Sequence, residues 1–263
     1  MKSFSLSLGG GAARWLAHIG VIRKFEELWV IPIAISGTSM GAIIATFYAL
    51  GFTSTEMEEI VCKKLKLHTL IDFDLKNGVI RGKKIVKFLE EYIGSRQFSD
   101  TKIPLTLIAT DIDSGEKNVF NTWSIIDALR ASISVPGLFS PHKYSGKNLV
   151  DGGLTANLPI EDLPPGNVIA VTVQIPMSEK KKRQKKFTLF PDGTLFSNSY
   201  LILRKTIGIM IAQNEARSMQ SREKLLVIQP WRHELDYYDF SQKKLLIQAW
   251  YEVSEHVKEF LNL

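Results

Sequence analysis

The sequence predicts an α/β fold built on a mainly parallel sheet. Three observations carry that prediction. Apolar runs of strand length alternate with helix-length segments along the chain. Val168–Ile175 is a continuous apolar run, as expected of a strand covered on both faces. No Gly/Ser linker or shift in composition divides the 263 residues, 45% of them hydrophobic. The chain therefore reads as one domain over 1–263, with a core large enough to bury.

The elements follow in order. Phe4–Leu8 is a strand, and Arg14–Leu28 a helix, with Leu16, Ile19, Ile22, Arg23 and Leu28 at helical spacing. Ile31–Ser36 is an apolar strand ending at Gly37, and Met40–Leu50 follows as a buried helix. Ser54–Leu67 opens on a Ser/Thr cap with Glu58 and Glu59 in its first turns, and Lys83–Ile93 is a further helix. Ile103–Thr110 is a strand. Asp113-Ser114-Gly115 turns the chain into Lys117–Phe120. Ser124–Ala131 is helical, and Asn148–Val150 and Val168–Ile175 are strands. Leu195–Met219 and Gln242–Leu261 are helices around the strand Lys224–Gln229.

Composition limits the setting. A membrane-crossing helix needs about 18 apolar residues in a row, and no stretch approaches that. One lysine and a short apolar run before the glycines are too little for a secretory signal. The single cysteine, Cys62, excludes an internal disulfide and suits a reducing compartment, so a cytoplasmic protein is expected. The net charge of +6 equals the six cations of Lys180-Lys181-Lys182-Arg183-Gln184-Lys185-Lys186, within a basic loop over about 178–192. That run suits either a solvated loop or a peripheral contact with an anionic membrane. Nucleic acid ranks last, because the run holds no aromatic residue for base stacking.

Two turns carry chemistry. In the first, Gly9-Gly10-Gly11-Ala12-Ala13-Arg14 follows the first strand. A dinucleotide fingerprint needs glycine where Arg14 stands, and an acidic residue after the second strand, where the chain reads Ser36-Gly37. A phosphate loop ending in G-K-[ST] is missing too, so no cofactor is expected. In the second, Gly37-Thr38-Ser39-Met40-Gly41 is a G-x-S-x-G pattern between a strand and a helix, the setting of a nucleophile elbow. A serine that attacks a carbonyl needs a base and donors for the oxyanion. Backbone N–H groups of the glycine loop on the neighbouring strand, with Arg14 beside them, are placed to be those donors.

Two readings of the base stand. Asp151 ends a short strand and is followed by Gly152 and Gly153, which permit unusual backbone angles and close approach. An aspartate with an ordinary pKa of about 3.9 is a poor base at neutral pH, and burial that raises it answers that objection. A competing account makes Asp-Gly-Gly a hairpin turn. The other reading is a histidine triad completed by His233, in QPWRHELD, or by His256. His18 and His256 lie in helical patterns, and His142 follows Pro141 in a loop. Asp111-Ile112-Asp113-Ser114-Gly115-Glu116 begins like a calcium loop but lacks the later ligands, so it reads as a turn and no metal is expected.

Taken together, the glycine loop, the G-x-S-x-G serine and the D-G-G aspartate resemble the patatin-like phospholipase family, in its compact bacterial form. The segments LAHIGVIRKFEEL, IATDIDSGE, DALRASISVPGLFSP and LVDGGLTANLPI extend the likeness over about residues 4–175. The resemblance implies a three-layer α/β/α fold and a Ser-Asp dyad, with Ser39 as acyl nucleophile and Asp151 as base. It places the oxyanion hole at Gly10, Gly11 and Ala12, and counts Gly37, Gly41, Arg14, Gly152 and Gly153 among the motif positions. Phospholipid or another acyl ester is the implied substrate, cleaved through an acyl-enzyme without a metal or cofactor. The alternatives are a non-specific carboxylesterase or acyltransferase, or a weakly active lipid-binding member of the same fold. The family pattern is Gly-Gly-Gly-x-Arg-Gly; aligned on Arg14, Ala12 and Trp15 stand in place of two glycines.

Overall fold

The computed structural model describes residues 2–11, 17–60, 72–74, 79–174, 195–229, 247–248, 251 and 256–263. In chain order the elements begin with β1 (Phe4–Leu8), α1 (Ala17–Glu27), β2 (Ile35–Thr38), α2 (Met40–Ala49) and α3 (Ser54–Glu59). Then come β3 (Phe73–Asp74), β4 (Val79–Ile80), α4 (Lys83–Ile93), β5 (Leu105–Asp111), β6 (Lys117–Phe120) and α5 (Ile125–Ser132). The remainder is β7 (His142–Tyr144), β8 (Lys147–Asp151), α6 (Gly153–Ala156), β9 (Asn167–Val171), α7 (Leu195–Gln220), β10 (Leu225–Ile228) and α8 (His256–Leu261).

The main sheet runs β10-β9-β1-β2-β5-β8-β7, with β6 also paired to β5. From β10 to β5 every pairing is parallel; beyond β5 every pairing is antiparallel. The sheet is therefore mixed, parallel where βα units supply the crossovers and antiparallel where the short β7–β8 hairpin returns beside β5.

β1 is buried at all five residues, lying between β2 and β9. Ser7 faces a close partner: Ser36 Oγ lies 3.2 Å from Ser7 Oγ and donates its hydrogen to the Pro159 carbonyl (2.7 Å). α2 is buried from Gly41 to Ala49, and it is apolar all round, as a helix enclosed by neighbours must be. Its partners in the core include Phe25, Leu105, Leu107 and Leu129. α3 carries the expected cap, with Thr53 as N-cap and a reciprocal box with Glu56.

Several element bounds differ from expectation. Ile31 and Ile33 are exposed and lie before the strand, which begins at Ile35 once the chain has passed Pro32. β9 stops at Val171, where β1 ends and Gly9 takes the Val171 carbonyl (3.0 Å). Residues 61–67 of the helix expected from Ser54, and most of Gln242–Leu261, lie outside the described residues. β3, β4, β7 and α6 have no forerunner in the sequence reading; all four are too short for a periodic signal.

Candidate active site

β1 and β2 are parallel neighbours, so the turns that follow them lie side by side at one end of the sheet. Ser39 occupies the second turn with φ 54° and ψ −127°, the left-handed region that a non-glycine residue rarely enters. Such a conformation costs about 1–3 kcal/mol and persists only where surroundings fix it. Here the Ser39 N–H donates to Ser132 Oγ (2.8 Å), and Thr38 Oγ1 donates to the Ala156 carbonyl (2.7 Å). The helix then starts under the end of β1. A Cβ at Gly41 would lie 2.4 Å from the Leu8 carbonyl oxygen, so only glycine permits that approach.

Asp151 ends β8, which the antiparallel β5–β8 pairing brings to the same place. Ser39 Oγ donates to Asp151 Oδ2 at 2.5 Å, and the Gly153 N–H donates to Oδ1 at 2.7 Å. The pair is almost fully enclosed, with Ser39 7% and Asp151 6% exposed. Burial pushes the Asp151 carboxyl up to about 6, against the hydrogen bonds from Ser39 and Gly153 that favour its ionised form. A base that titrates near neutrality is what the chemistry of a serine nucleophile requires.

The glycines after Asp151 act through space and not through unusual angles. Gly152 has φ −66° and ψ −16°, and Gly153 begins α6, so the segment is neither a hairpin turn nor left-handed. A Cβ at Gly152 would sit 2.3 Å from the Ile108 carbonyl oxygen. The expectation of close approach holds; that of special backbone angles does not.

The glycine loop presses against the serine. A Cβ at Gly10 would lie 2.8 Å from Ser39 Cβ and 2.7 Å from Asn157 Oδ1. The Gly10 N–H donates to the Asn157 carbonyl (3.3 Å), and its own carbonyl accepts from Asn157 Nδ2 and Gln174 Nε2, both at 3.1 Å. Behind it, His18 Nε2 donates to the Gly9 carbonyl (2.8 Å); burial holds this imidazole down at about 4, so it is neutral at pH 7. Ala12, Arg14 and Trp15 lie outside the described residues.

The remaining histidines are elsewhere or outside the description. His142 Nε2 is 3.1 Å from Asp127 Oδ1, and His256 is exposed on α8. His233 lies outside the described residues. Among the described residues, the side chain bonded to Ser39 Oγ is Asp151.

Sequence reasoning missed the supports. Ser132 fixes the elbow N–H, and Asn157, Gln174, Asn214 and Glu215 wire the glycine loop and α6 to the rest. Asn214 accepts from the Asn157 N–H (3.1 Å) and donates to the Gly153 carbonyl (2.7 Å). Asn157 stands six residues after Asp151 and could have been suspected there. Asn214 and Glu215 sit in a 26-residue helix with no polar signal to mark them.

Comparisons with known proteins bear on the family and the fold. A family model described as Patatin-like phospholipase matches residues 6–164. An uncharacterized NTE family protein of Mycobacterium tuberculosis is 33% identical over 182 residues, which are 66% of this chain and 49% of that protein. Lysophospholipase NTE1 of Debaryomyces hansenii is 27% identical over 168 residues, 62% of this chain and 11% of that protein. The chain thus spans about half the length of the mycobacterial relative. Among solved structures, VipD from Legionella pneumophila superposes with a TM-score of 0.61 at 15% identity, covering 99% of this chain and 66% of that one. The type III effector protein ExoU gives 0.53 at 15% identity, covering 99% and 53%. Both share the fold.

Proposed function

The chain belongs to the patatin-like phospholipase family, and we propose that it is a serine lipid acyl hydrolase acting through a Ser39–Asp151 dyad. The observation that carries this reading is the 2.5 Å hydrogen bond from Ser39 Oγ to the buried Asp151 carboxylate, formed between two strand ends. The name of the fungal relative, a lysophospholipase, favours fatty acyl esters of phospholipids or lysophospholipids as substrates.

In this mechanism Ser39 Oγ attacks the ester carbonyl carbon while its proton passes to Asp151 Oδ2. The carbonyl oxygen becomes an oxyanion held by loop N–H groups. With the Gly10 N–H engaged by Asn157, Gly11 and Ala12 supply the donors, and Gly10 supplies closeness. Asp151 then returns the proton to the leaving alcohol as the C–O bond breaks, which leaves an acyl-Ser39 ester. Water, deprotonated by Asp151, hydrolyses that ester. The strained elbow holds Oγ in place before substrate arrives.

The test is labelling by a fluorophosphonate probe, which reports an activated serine. Ser39 should be the one serine modified, located by peptide mass spectrometry. Because Asp151 accepts the proton only when ionised, the labelling rate should fall as pH drops through about 6. Labelling at another serine, or a rate flat from pH 5 to 8, would remove the dyad from the mechanism.

A lipid substrate lies in a bilayer, and among the described residues no helix is long and apolar enough to cross one. The segment from Lys180 to about Met210 is proposed to dock the protein on anionic bilayers. Its basic run, outside the described residues, contributes roughly 1 kcal/mol per cation near an anionic leaflet. α7 continues with exposed Leu201, Ile202, Leu203 and Met210. Co-sedimentation with anionic vesicles should weaken as salt rises. It should also drop when the six cations of the run become glutamine, with short-ester turnover retained. Equal sedimentation of that variant would exclude the run from docking.

A further inference from the structure

We propose that Glu215 on α7 is a positioning residue that orients the Gly10–Gly11 peptide, and through it the Gly11 N–H that serves the oxyanion. The proposal rests on the hydrolase reading above and adds to it a residue 176 positions from Ser39, on a helix that the motifs do not include.

Three hydrogen bonds tie Glu215, Asn157, Thr172 and Gly10 together. Glu215, 4% exposed, accepts from Asn157 Nδ2 at 2.6 Å and from Thr172 Oγ1 at 2.9 Å. The same Asn157 Nδ2 donates its other hydrogen to the Gly10 carbonyl at 3.1 Å. A primary amide has two donor hydrogens on one nitrogen, and a carboxylate at one of them settles which way the amide faces. Were the Asn157 side chain reversed, its oxygen would face both the Glu215 carboxylate and the Gly10 carbonyl, three acceptors with no hydrogen between them. The carboxylate therefore fixes Asn157 in the donating orientation, and charge assistance strengthens the contact.

Peptide geometry carries this orientation on to Gly11. In a planar trans peptide the carbonyl of one residue and the N–H of the next point in opposite directions. Two amide donors, Asn157 and Gln174, pull the Gly10 carbonyl to one side. The Gly11 N–H of that same peptide must then face the other way, and among the described residues it has no hydrogen-bond partner. Gly10 itself is packed against Ser39 Cβ, so a rotation of this peptide moves a donor within the immediate surroundings of the nucleophile.

A buried carboxylate is costly, and burial holds Glu215 up at about 7, with the bonds from Asn157 and Thr172 drawing it back. A leucine of similar size would remove that cost but would leave Asn157 Nδ2 and Thr172 Oγ1 without this acceptor. The carboxylate is explained by the loop it orients.

The experiment compares kcat and KM on a short chromogenic ester at pH 8 for the full chain. Removal of one oxyanion donor typically lowers kcat about 10²–10³-fold. Glu215→Leu should lower kcat about 100-fold with KM within about twofold, and slow fluorophosphonate labelling in parallel. Glu215→Gln, which can still accept from Asn157, should recover kcat to within about fivefold of the parent. Gln174→Met, at a half-buried site, removes the second anchor and should lower kcat about tenfold at unchanged KM. A folded Glu215→Leu protein with parental kcat overturns the proposal. If that variant does not fold, Gln174→Met with parental kcat overturns it instead. Failure of the hydrolase reading would look different: Ser39→Ala would keep the parental turnover, whatever happens at Glu215.

Discussion

Ser39→Ala and Asp151→Asn should each lower ester hydrolysis by roughly 10⁴-fold or more, as expected when one member of a nucleophile–base unit is removed. The stability of Asp151→Asn against the parent separates a base from a structural aspartate. Asp151 has its carboxyl raised from 3.8 to about 6 in the folded chain. A raised carboxyl contributes stability that is fully present below pH 3.8 and is lost as pH rises through about 6. Above that range the folded protein carries a buried charge that costs on the order of 3 kcal/mol. Asparagine has the same shape, accepts from the Gly153 N–H and donates to Ser39 Oγ. Asp151→Asn should therefore melt higher than the parent at pH 8, while at pH 4 the two should melt together. An inactive and destabilised Asp151→Asn protein at pH 8 would mean the carboxylate holds the fold. An active one, or a comparable loss in His233→Ala, would restore the histidine triad.

Gly41→Ala should destabilise the chain by roughly 2 kcal/mol or more, an overpacking effect. Helix propensity predicts the opposite sign, because alanine in a helix is favoured over glycine by about 1 kcal/mol. The contact decides. A Cβ at this position would lie 2.4 Å from the Leu8 carbonyl oxygen and 2.6 Å from that of Gly9. Both are backbone atoms of the β1 end, so relief requires moving the strand end or the helix. Either movement displaces the glycine loop from Ser39, and a shift of about 1 Å near a reacting centre can cost about 100-fold in rate. The expected result is a melting midpoint lower by roughly 5 °C or more, together with a fall in kcat of at least tenfold. An unchanged or raised midpoint would show that α2 tolerates a methyl there and that the G-x-S-x-G glycine has another purpose.

The sequence by itself determined the order of the longer elements and marked the positions proposed here to carry the chemistry. Phe4–Leu8, Lys83–Ile93 and Lys117–Phe120 occur with the predicted bounds, because short apolar runs and amphipathic periods are local properties of the chain. Ser39 and Asp151 were legible as candidates because an elbow and a strand-end aspartate need small residues beside them, and glycine leaves a mark that can be read without coordinates. Their contact was not legible. It depends on β5 pairing parallel with β2 on one side and antiparallel with β8 on the other, a choice made by packing across 112 residues of chain. The same holds for the reason behind the glycines after Asp151. The residue type was visible, but only the approach of Ile108 shows that it answers a lack of room and not a backbone angle. Glu215 is the extreme case. A carboxylate on a helix without polar–apolar periodicity looks like a solvent-facing residue, and only burial against Asn157 and Thr172 makes it part of the glycine loop's support. Periodicity and steric need are written into neighbouring residues, whereas desolvation and hydrogen-bond partnership arise when distant segments meet.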